Sequence, residues 1–179
     1  MPERKRISYY DSPLGRITMA GDETGLTGLW FEGQTHCAGT PAADYEEGEL
    51  PVFAETVRWL DLYFQGKDPG FLPALNIHTP PFRKEVLKLL SAIPYGETRT
   101  YGELAESLAA QRGIARMSAQ AVGGAVARNP VSLIIPCHRV IGSDGSLTGY
   151  AGGLWRKEKL LNLEKKGSLS GMITEKESR

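Results

Sequence analysis

Apolar residues in the first part of the chain alternate with polar ones or cluster between turn signals, and the pattern predicts a meander of three short antiparallel strands across residues 7–31. The turns are Ser12-Pro13-Leu14-Gly15, Gly21-Asp22-Glu23-Thr24-Gly25 and Glu32-Gly33. Residues 34–51 are small, polar and acidic, have no periodicity and read as a loop. Across residues 52–65, Phe53, Val57, Leu60 and Phe64 fall on the 3.6-residue period of an amphipathic helix able to cover one sheet face. Residues 66–73 end that helix, and residues 74–78 are a further strand candidate.

The second half changes character. Phe82, Val86, Leu89, Leu90 and Ile93 make another helical stripe, stopped by Pro94 and Gly96. Thr100-Tyr101-Gly102-Glu103 has the form of a capping box, so a new helix starts there and runs through Leu104 and Leu108. After a turn around Gly113, a helix rich in Ala and Gly spans about residues 118–128 and closes at Asn129-Pro130. Two short helices joined by a Gly-containing turn make a helix-turn-helix candidate. The small residues of the second helix fit two readings: close packing, or approach of its backbone to a narrow groove. Residues 131–135 are a short apolar run that reads as a buried strand, and residues 154–166 form a final helix ending at Gly167.

With 179 residues, 41% of them hydrophobic, the chain can build one good core or two small ones sharing an interface. No apolar run approaches the roughly 20 residues of a membrane span, so the expectation is a soluble, cytoplasmic protein with no membrane partner. The zero net charge hides an asymmetry: residues 1–79 hold 6 Lys+Arg against 12 Asp+Glu, and residues 80–179 hold 15 against 9. Only the basic half suits a polyanion such as DNA, although solvated surface charge of no consequence gives the same count.

Cys37 and Cys137 lie far apart, outside any C-x-x-C pair, which points neither to a disulfide framework nor to a cysteine zinc site. A lone cysteine is ordinarily a small buried hydrophobe. Cys137 differs in its neighbours, Pro136-Cys137-His138-Arg139, where the strand reading mounts it at a rigid strand end. His138 is placed to take the thiol proton, and Arg139 favours negative charge nearby. A histidine base works best when a third group fixes its tautomer. Glu164 falls on the face that Leu160 and Leu161 bury, and a buried carboxylate needs a partner, either His138 or a cation such as Arg139 or a lysine. The Gly-rich stretch of residues 142–153 reads as a pocket wall, with Tyr150 placed to stack on a flat base.

Ile135-Pro136-Cys137-His138-Arg139-Val140, preceded by Ala121-Val122-Gly123-Gly124-Ala125 and Asn129-Pro130 and followed by Gly149-Tyr150-Ala151-Gly152-Gly153, resembles the O6-alkylguanine-DNA alkyltransferases. The similarity extends from the Ser12-Pro13-Leu14-Gly15 turn to about Gly167. The resemblance implies an α+β protein: a ribonuclease-H-like domain with an antiparallel sheet over residues 1–78, a helix-turn-helix, winged-helix-like domain over 79–167, and a polar tail over 168–179. It implies a monomer without cofactor or metal that binds double-stranded DNA containing O6-alkylguanine through the minor groove and flips the damaged base. Cys137 attacks the alkyl carbon and keeps the group, so each molecule acts once.

By the same resemblance, His138 draws the thiol proton through a water, Glu164 orients His138, and Tyr101 donates to N3 of the leaving guanine. The Ala151 N–H faces O6, the carbonyls of Cys137 and Val140 read the exocyclic amine, and Tyr150 packs on the base. Asn129 ties the recognition helix to the active-site segment. Gln120, Ala121, Gly123, Gly124, Arg128 and Arg139 complete the expected DNA-binding set.

One departure stands out. Gln120 occupies the position where the family usually carries an arginine that fills the gap left by the flipped base, and it lacks charge and a stacking plane. The stretch from Leu108 to Ser118 is also longer than usual, which makes Arg112 and Arg116 candidates to compensate. The family's occasional zinc site finds no recognisable spacing among His36, Cys37 and His78. Two other functional classes compete. A Cys-His-Glu thiol hydrolase would turn over repeatedly, and a noncatalytic damage binder of this kind carries tryptophan where Cys137 stands.

Overall fold

The computed structural model describes residues 5–34 and 45–169. The protein is α+β. β1 (Arg6–Ser12), β2 (Gly15–Gly21) and β3 (Leu26–Phe31) form the predicted antiparallel meander, and the short β4 (Glu46–Glu47) adds in parallel to β1, giving the order β3-β2-β1-β4. Ser12 pairs directly with Gly15, so Pro13-Leu14 is the whole connection. Gly15 sits at φ +117°, where a side chain is strained, and a Cβ there would stand 2.9 Å from an Arg156 nitrogen. α1 (Pro51–Phe64) buries Phe53 and Leu60 of its predicted stripe in the core that Ile17 and Met19 share, whereas Val57 and Phe64 are half-buried and Tyr63 is buried instead.

The outer edge of β3 is where the two halves of the chain meet. Leu26 N–H donates to the Ala74 carbonyl at 2.8 Å, and its own carbonyl accepts from Asn76 N–H at 2.7 Å. Further along, Leu29 N–H donates to the Pro130 carbonyl at 2.9 Å, and Ser132 N–H returns a bond of 2.9 Å to Leu29. An exposed strand edge is thereby covered. The strand expected over residues 74–78 shrinks to one bridge between Leu75 and Leu26, because residues 130–132 occupy the rest of the edge and Pro80-Pro81 turn the chain away into α2.

α2 (Pro81–Ser91), α3 (Tyr101–Arg112) and α4 (Ala119–Ala127) pack together as the second half's helical unit. The cap foreseen at Thr100 is made, its Oγ1 accepting from Glu103 N–H at 3.0 Å; Gly113 in the expected turn closes α3 at φ +66°, and Ser118 Oγ caps α4 by accepting from Ala121 N–H at 3.1 Å. β5 (Arg99–Thr100) and β6 (Val140–Ile141) form a small parallel pair beside them.

Residues 131–135 are buried as expected but are not a strand. Only Val131 pairs, with Leu29, and the chain then turns through Leu133 at φ +71°. Asn129 supplies the missing partners: its Nδ2 donates to the carbonyls of Val131 and Ile135, and its Oδ1 accepts from Val131 N–H. An apolar run shows that a segment is buried, whereas its conformation depends on where its backbone bonds go.

α5 (Leu154–Lys166) returns across the molecule and ends against the end of α1. A Cβ on Gly66 would lie 2.0 Å from the Gly167 carbonyl oxygen, so only glycine permits this approach. Tyr63 and Glu164, each three residues before its glycine, are brought face to face by it.

Candidate active site

Cys137 begins a one-turn 3-10 helix, Cys137–Arg139, that follows directly from the 131–135 turn rather than from a strand end. It is 7% exposed. Burial pushes its pKa up from 9.0, while the Asn129 side chain, the Lys157 charge and the N–H groups of Cys137 and His138 pull it back. The resting sulfur is therefore a thiol, and a base must take its proton before it can attack carbon.

His138, the next residue in the chain, is wholly enclosed. Its Nε2 lies 2.5 Å from Glu164 Oε2, whereas Nδ1 is buried without a hydrogen-bond partner among the described residues. Burial lowers the imidazole pKa below 6.5 against the opposing pull of Glu164, so the ring is neutral at pH 7. Facing a carboxylate, Nε2 carries the ring proton, which leaves Nδ1 as the basic atom.

Glu164 is saturated with donors. Oε1 accepts from Gly96 N–H at 2.9 Å and Arg139 Nε at 2.8 Å, and Oε2 accepts from Tyr63 Oη at 2.6 Å and His138 Nε2. Burial alone would raise its pKa, but the bonds and charges of His138 and Arg139 overcome burial and hold it at about 2. Both partners foreseen for this carboxylate, His138 and Arg139, are found on it together. Arg139 also donates to the Ile93 carbonyl at 2.7 Å. It faces the interior at 7% exposure, which corrects its expected place on a DNA-binding surface.

Two residues of this site were read only as helix positions. Tyr63 lies inside the stripe that α1 buries, where a tyrosine passes for core. Lys157 is fully buried on α5, one turn before Leu160 and two before Glu164, and its Nζ donates to the Thr148 carbonyl at 2.8 Å. Burial lowers its pKa to about 8, with the Cys137 charge opposing. A lysine on an otherwise apolar helical stripe was the available signal.

Around the sulfur, Gln34, Asn129, Ser132, Tyr150 and Ala151 line a cavity of only about 10 Å³. That is room for about one water and not for a base, so the pocket that a flipped base needs is shut in this conformation. Tyr150 Oη is buried with Ser132 as its polar neighbour and no well-aligned hydrogen bond among the described residues, and burial raises its pKa well above 10. Tyr101 stands beyond the thiol: its hydroxyl donates to the Thr148 carbonyl at 3.3 Å, and its ring lies 3.7 Å from where a Cβ on Gly123 would be. Burial raises its pKa too, keeping it a protonated donor. Val140 is buried, and its N–H already bonds the Cys137 carbonyl.

α4 turns Val122, Ala125 and Val126 inward and leaves Gln120, Ala121 and Arg128 exposed, with Gly123 and Gly124 half-buried. Arg128 Nη1 lies across this helix, 3.4 Å from the Gly124 carbonyl. Of the two arginines considered as compensation for Gln120, Arg112 is held away by Glu85 at 2.6 Å and by the Phe82 ring, while Arg116 is exposed. His36, Cys37 and most of the tail lie outside the described residues, and among those described no helix is long and apolar enough to cross a membrane.

Residues 5–74 match the family model of the 6-O-methylguanine DNA methyltransferase ribonuclease-like domain, and residues 81–166 that of the same family's DNA binding domain. A methylated-DNA–protein-cysteine methyltransferase of Methanosarcina barkeri is 49% identical over 159 residues, covering 87% of this chain and 96% of its own. One from Mycobacterium leprae is 44% identical, covering 90% and 93%. The crystal structure of Mycobacterium tuberculosis OGT in complex with DNA superimposes with a TM-score of 0.80 at 40% identity, covering 92% of this chain and 94% of that one.

Proposed function

The chain belongs to the 6-O-methylguanine DNA methyltransferase family, and from that premise we propose that it repairs DNA by moving an alkyl group from O6 of guanine onto Cys137. The observation that carries this reading is a buried thiol followed in the chain by a neutral imidazole whose Nδ1 has no hydrogen-bond partner among the described residues. The thiol proton passes to His138 Nδ1 by way of a water, and the imidazolium is steadied by Glu164. The sulfur attacks the alkyl carbon, an S–C bond forms as the C–O6 bond breaks, and the electron pair leaves with guanine. Tyr101 donates to that leaving base. Because the thioether is stable, one protein repairs one lesion, and repeated thiol hydrolysis is not supported.

The charge of Lys157 favours the sulfur as it ionises. The exposed face of α4, with Gln120, Ala121, Gly124 and Arg128, lies in the minor groove. Base entry requires Tyr150 to swing out with its loop, where Gly149 and Gly153 sit at φ +53° and +95°. Asn129 keeps the thiol segment fixed to the end of α4 during this motion. Intact-mass measurement after incubation with an oligonucleotide containing O6-methylguanine tests the proposal: one methyl group gained, mapped to Cys137, and none gained by Cys137→Ser. Methyl release with no mass gained would overturn it.

A further inference from the structure

Tyr63 comes from α1, in the ribonuclease-like half, yet its hydroxyl stands inside the charge network of the other half. It donates to Glu164 Oε2 at 2.6 Å and lies 3.2 Å from His138 Nε2, which bonds that same oxygen. All three side chains are enclosed, so water does not substitute for any of these bonds. The ring is clamped by stacking on Trp59 at 5.1 Å and 8° and by edge contacts to Phe64 and Tyr95. The hydroxyl is therefore pre-aimed at no cost in side-chain freedom at the moment of reaction.

A carboxylate oxygen that already receives a strong O–H donor has less electron density for a second donor. Without that competition, Glu164 would draw the imidazole toward its charged form, and a histidine already carrying a second proton cannot accept one from the thiol. Resting on the alkyl-transfer reading above, we propose that Tyr63 is a positioning residue of the site: by sharing Glu164 Oε2 with His138 Nε2, it keeps the imidazole uncharged and free at Nδ1 before substrate arrives. The ribonuclease-like half thus contributes a functional group to the chemistry as well as covering the core.

The other groups acting on His138 are Glu164 and Lys157 from α5 and Arg139 from its own turn, while Tyr150 from the loop and Tyr95 act on Tyr63. Arg139 and Lys157 both oppose a charged imidazole, and Glu164 alone favours it, which makes the hydroxyl on Glu164 the group that adjusts the balance. Tyr63 is un-ionised at any working pH, since burial and then Glu164 raise its pKa well above 10.

The test is the titration of His138, followed by nitrogen NMR of the imidazole, together with the pH dependence of the single-turnover methyl-transfer rate. Tyr63→Phe keeps the stacked ring and removes only the oxygen. It should move both the His138 titration and the acid limb of the rate upward, by about one pH unit for a hydrogen bond to a charged group. Difluorotyrosine at position 63, a stronger donor, should move both downward, and it decides the matter if Tyr63→Phe does not fold. A titration unmoved in both proteins, or moved the same way in both, reduces Tyr63 to packing and overturns the proposal. Methyl uptake by the unaltered protein is scored in the same samples. No uptake sinks the repair reading itself, whereas uptake with an unmoved titration sinks this inference alone.

Discussion

At the scale of single residues, the site solves one electrostatic problem. A thiol buried among apolar atoms resists ionisation, and the groups opposing that resistance are few: the Asn129 side chain, two backbone N–H groups and Lys157. Lys157 is the only one of these that carries charge, and its stem packs on α5 while its ammonium reaches Thr148. Lys157→Met keeps the stem and removes the charge. It should slow methyl transfer by roughly tenfold, the equivalent of about one pKa unit on the sulfur, with little change in DNA affinity. A single-turnover rate series across pH checks this, and equal rates in the two proteins would show that the charge acts only on Thr148. Cys137 and His138 announced themselves through adjacency in the sequence. Lys157 and Tyr63 did not, because only folding brings Lys157 to the thiol and Tyr63 to His138 and Glu164.

At the scale of elements, α4 carries its information in what it lacks. Its outer face offers Gln120, Ala121 and Arg128 around two glycines, which suits close approach to a narrow groove and poorly suits base reading in a wide one. The inward residues of this helix, Val122, Ala125 and Val126, serve packing, and a Cβ on Gly123 or Gly124 would make only an ordinary contact, 3.7 Å from the Tyr101 ring and 3.8 Å from the Arg128 guanidinium. Gln120 is exposed and free of structural duty in its surroundings, so Gln120→Arg is tolerated by the fold. The arginine should bind O6-methylguanine duplex at least as tightly as the native residue, with a steeper salt dependence. Fluorescence anisotropy at two salt concentrations measures both, and a clear loss of affinity would assign the glutamine a specific contact. The turn over residues 131–135 shows the limit of element reading: apolar content marked it as buried, but Asn129 and the edge of β3 decided its path.

At the scale of the whole molecule, the two halves are joined by the covered edge of β3, by Arg156, and by the pairing of Tyr63 with Glu164. Arg156 spans them, bonding the Leu14 carbonyl and the Gly152 carbonyl at 2.8 Å each, so the first β-turn reaches the active-site loop. The buried network makes stability depend on pH with a definite sign. His138 has a lowered folded pKa, so unfolded chains bind more protons below 6.5 and stability falls as pH drops through that value. Glu164, held at about 2 against 4.5 unfolded, adds stability that is complete above 4.5 and is lost as pH falls toward 2. A thermal melting series should therefore show a flat Tm between pH 6.5 and about 8, the value to which burial lowers Lys157, and a decline in two stages below pH 6.5. A Tm that rose on acidification would contradict the neutral state of His138.

The sequence by itself determined the meander, the position of every long helix among the described residues, the Thr100 cap, and the adjacency of Cys137, His138 and Arg139. These are local facts: hydrophobic period, cap chemistry and adjacency act over a few residues. Tertiary structure alone decided the conformation of the thiol's own segment, the inward role of Arg139, the closed state of the cavity beside Cys137, and the entry of Tyr63 and Lys157 into the site. Each of these depends on which buried polar atoms find partners across long separations. That matching is set only when the helices and the sheet edge have closed around them, since a buried donor or acceptor takes whatever partner the packing brings within reach.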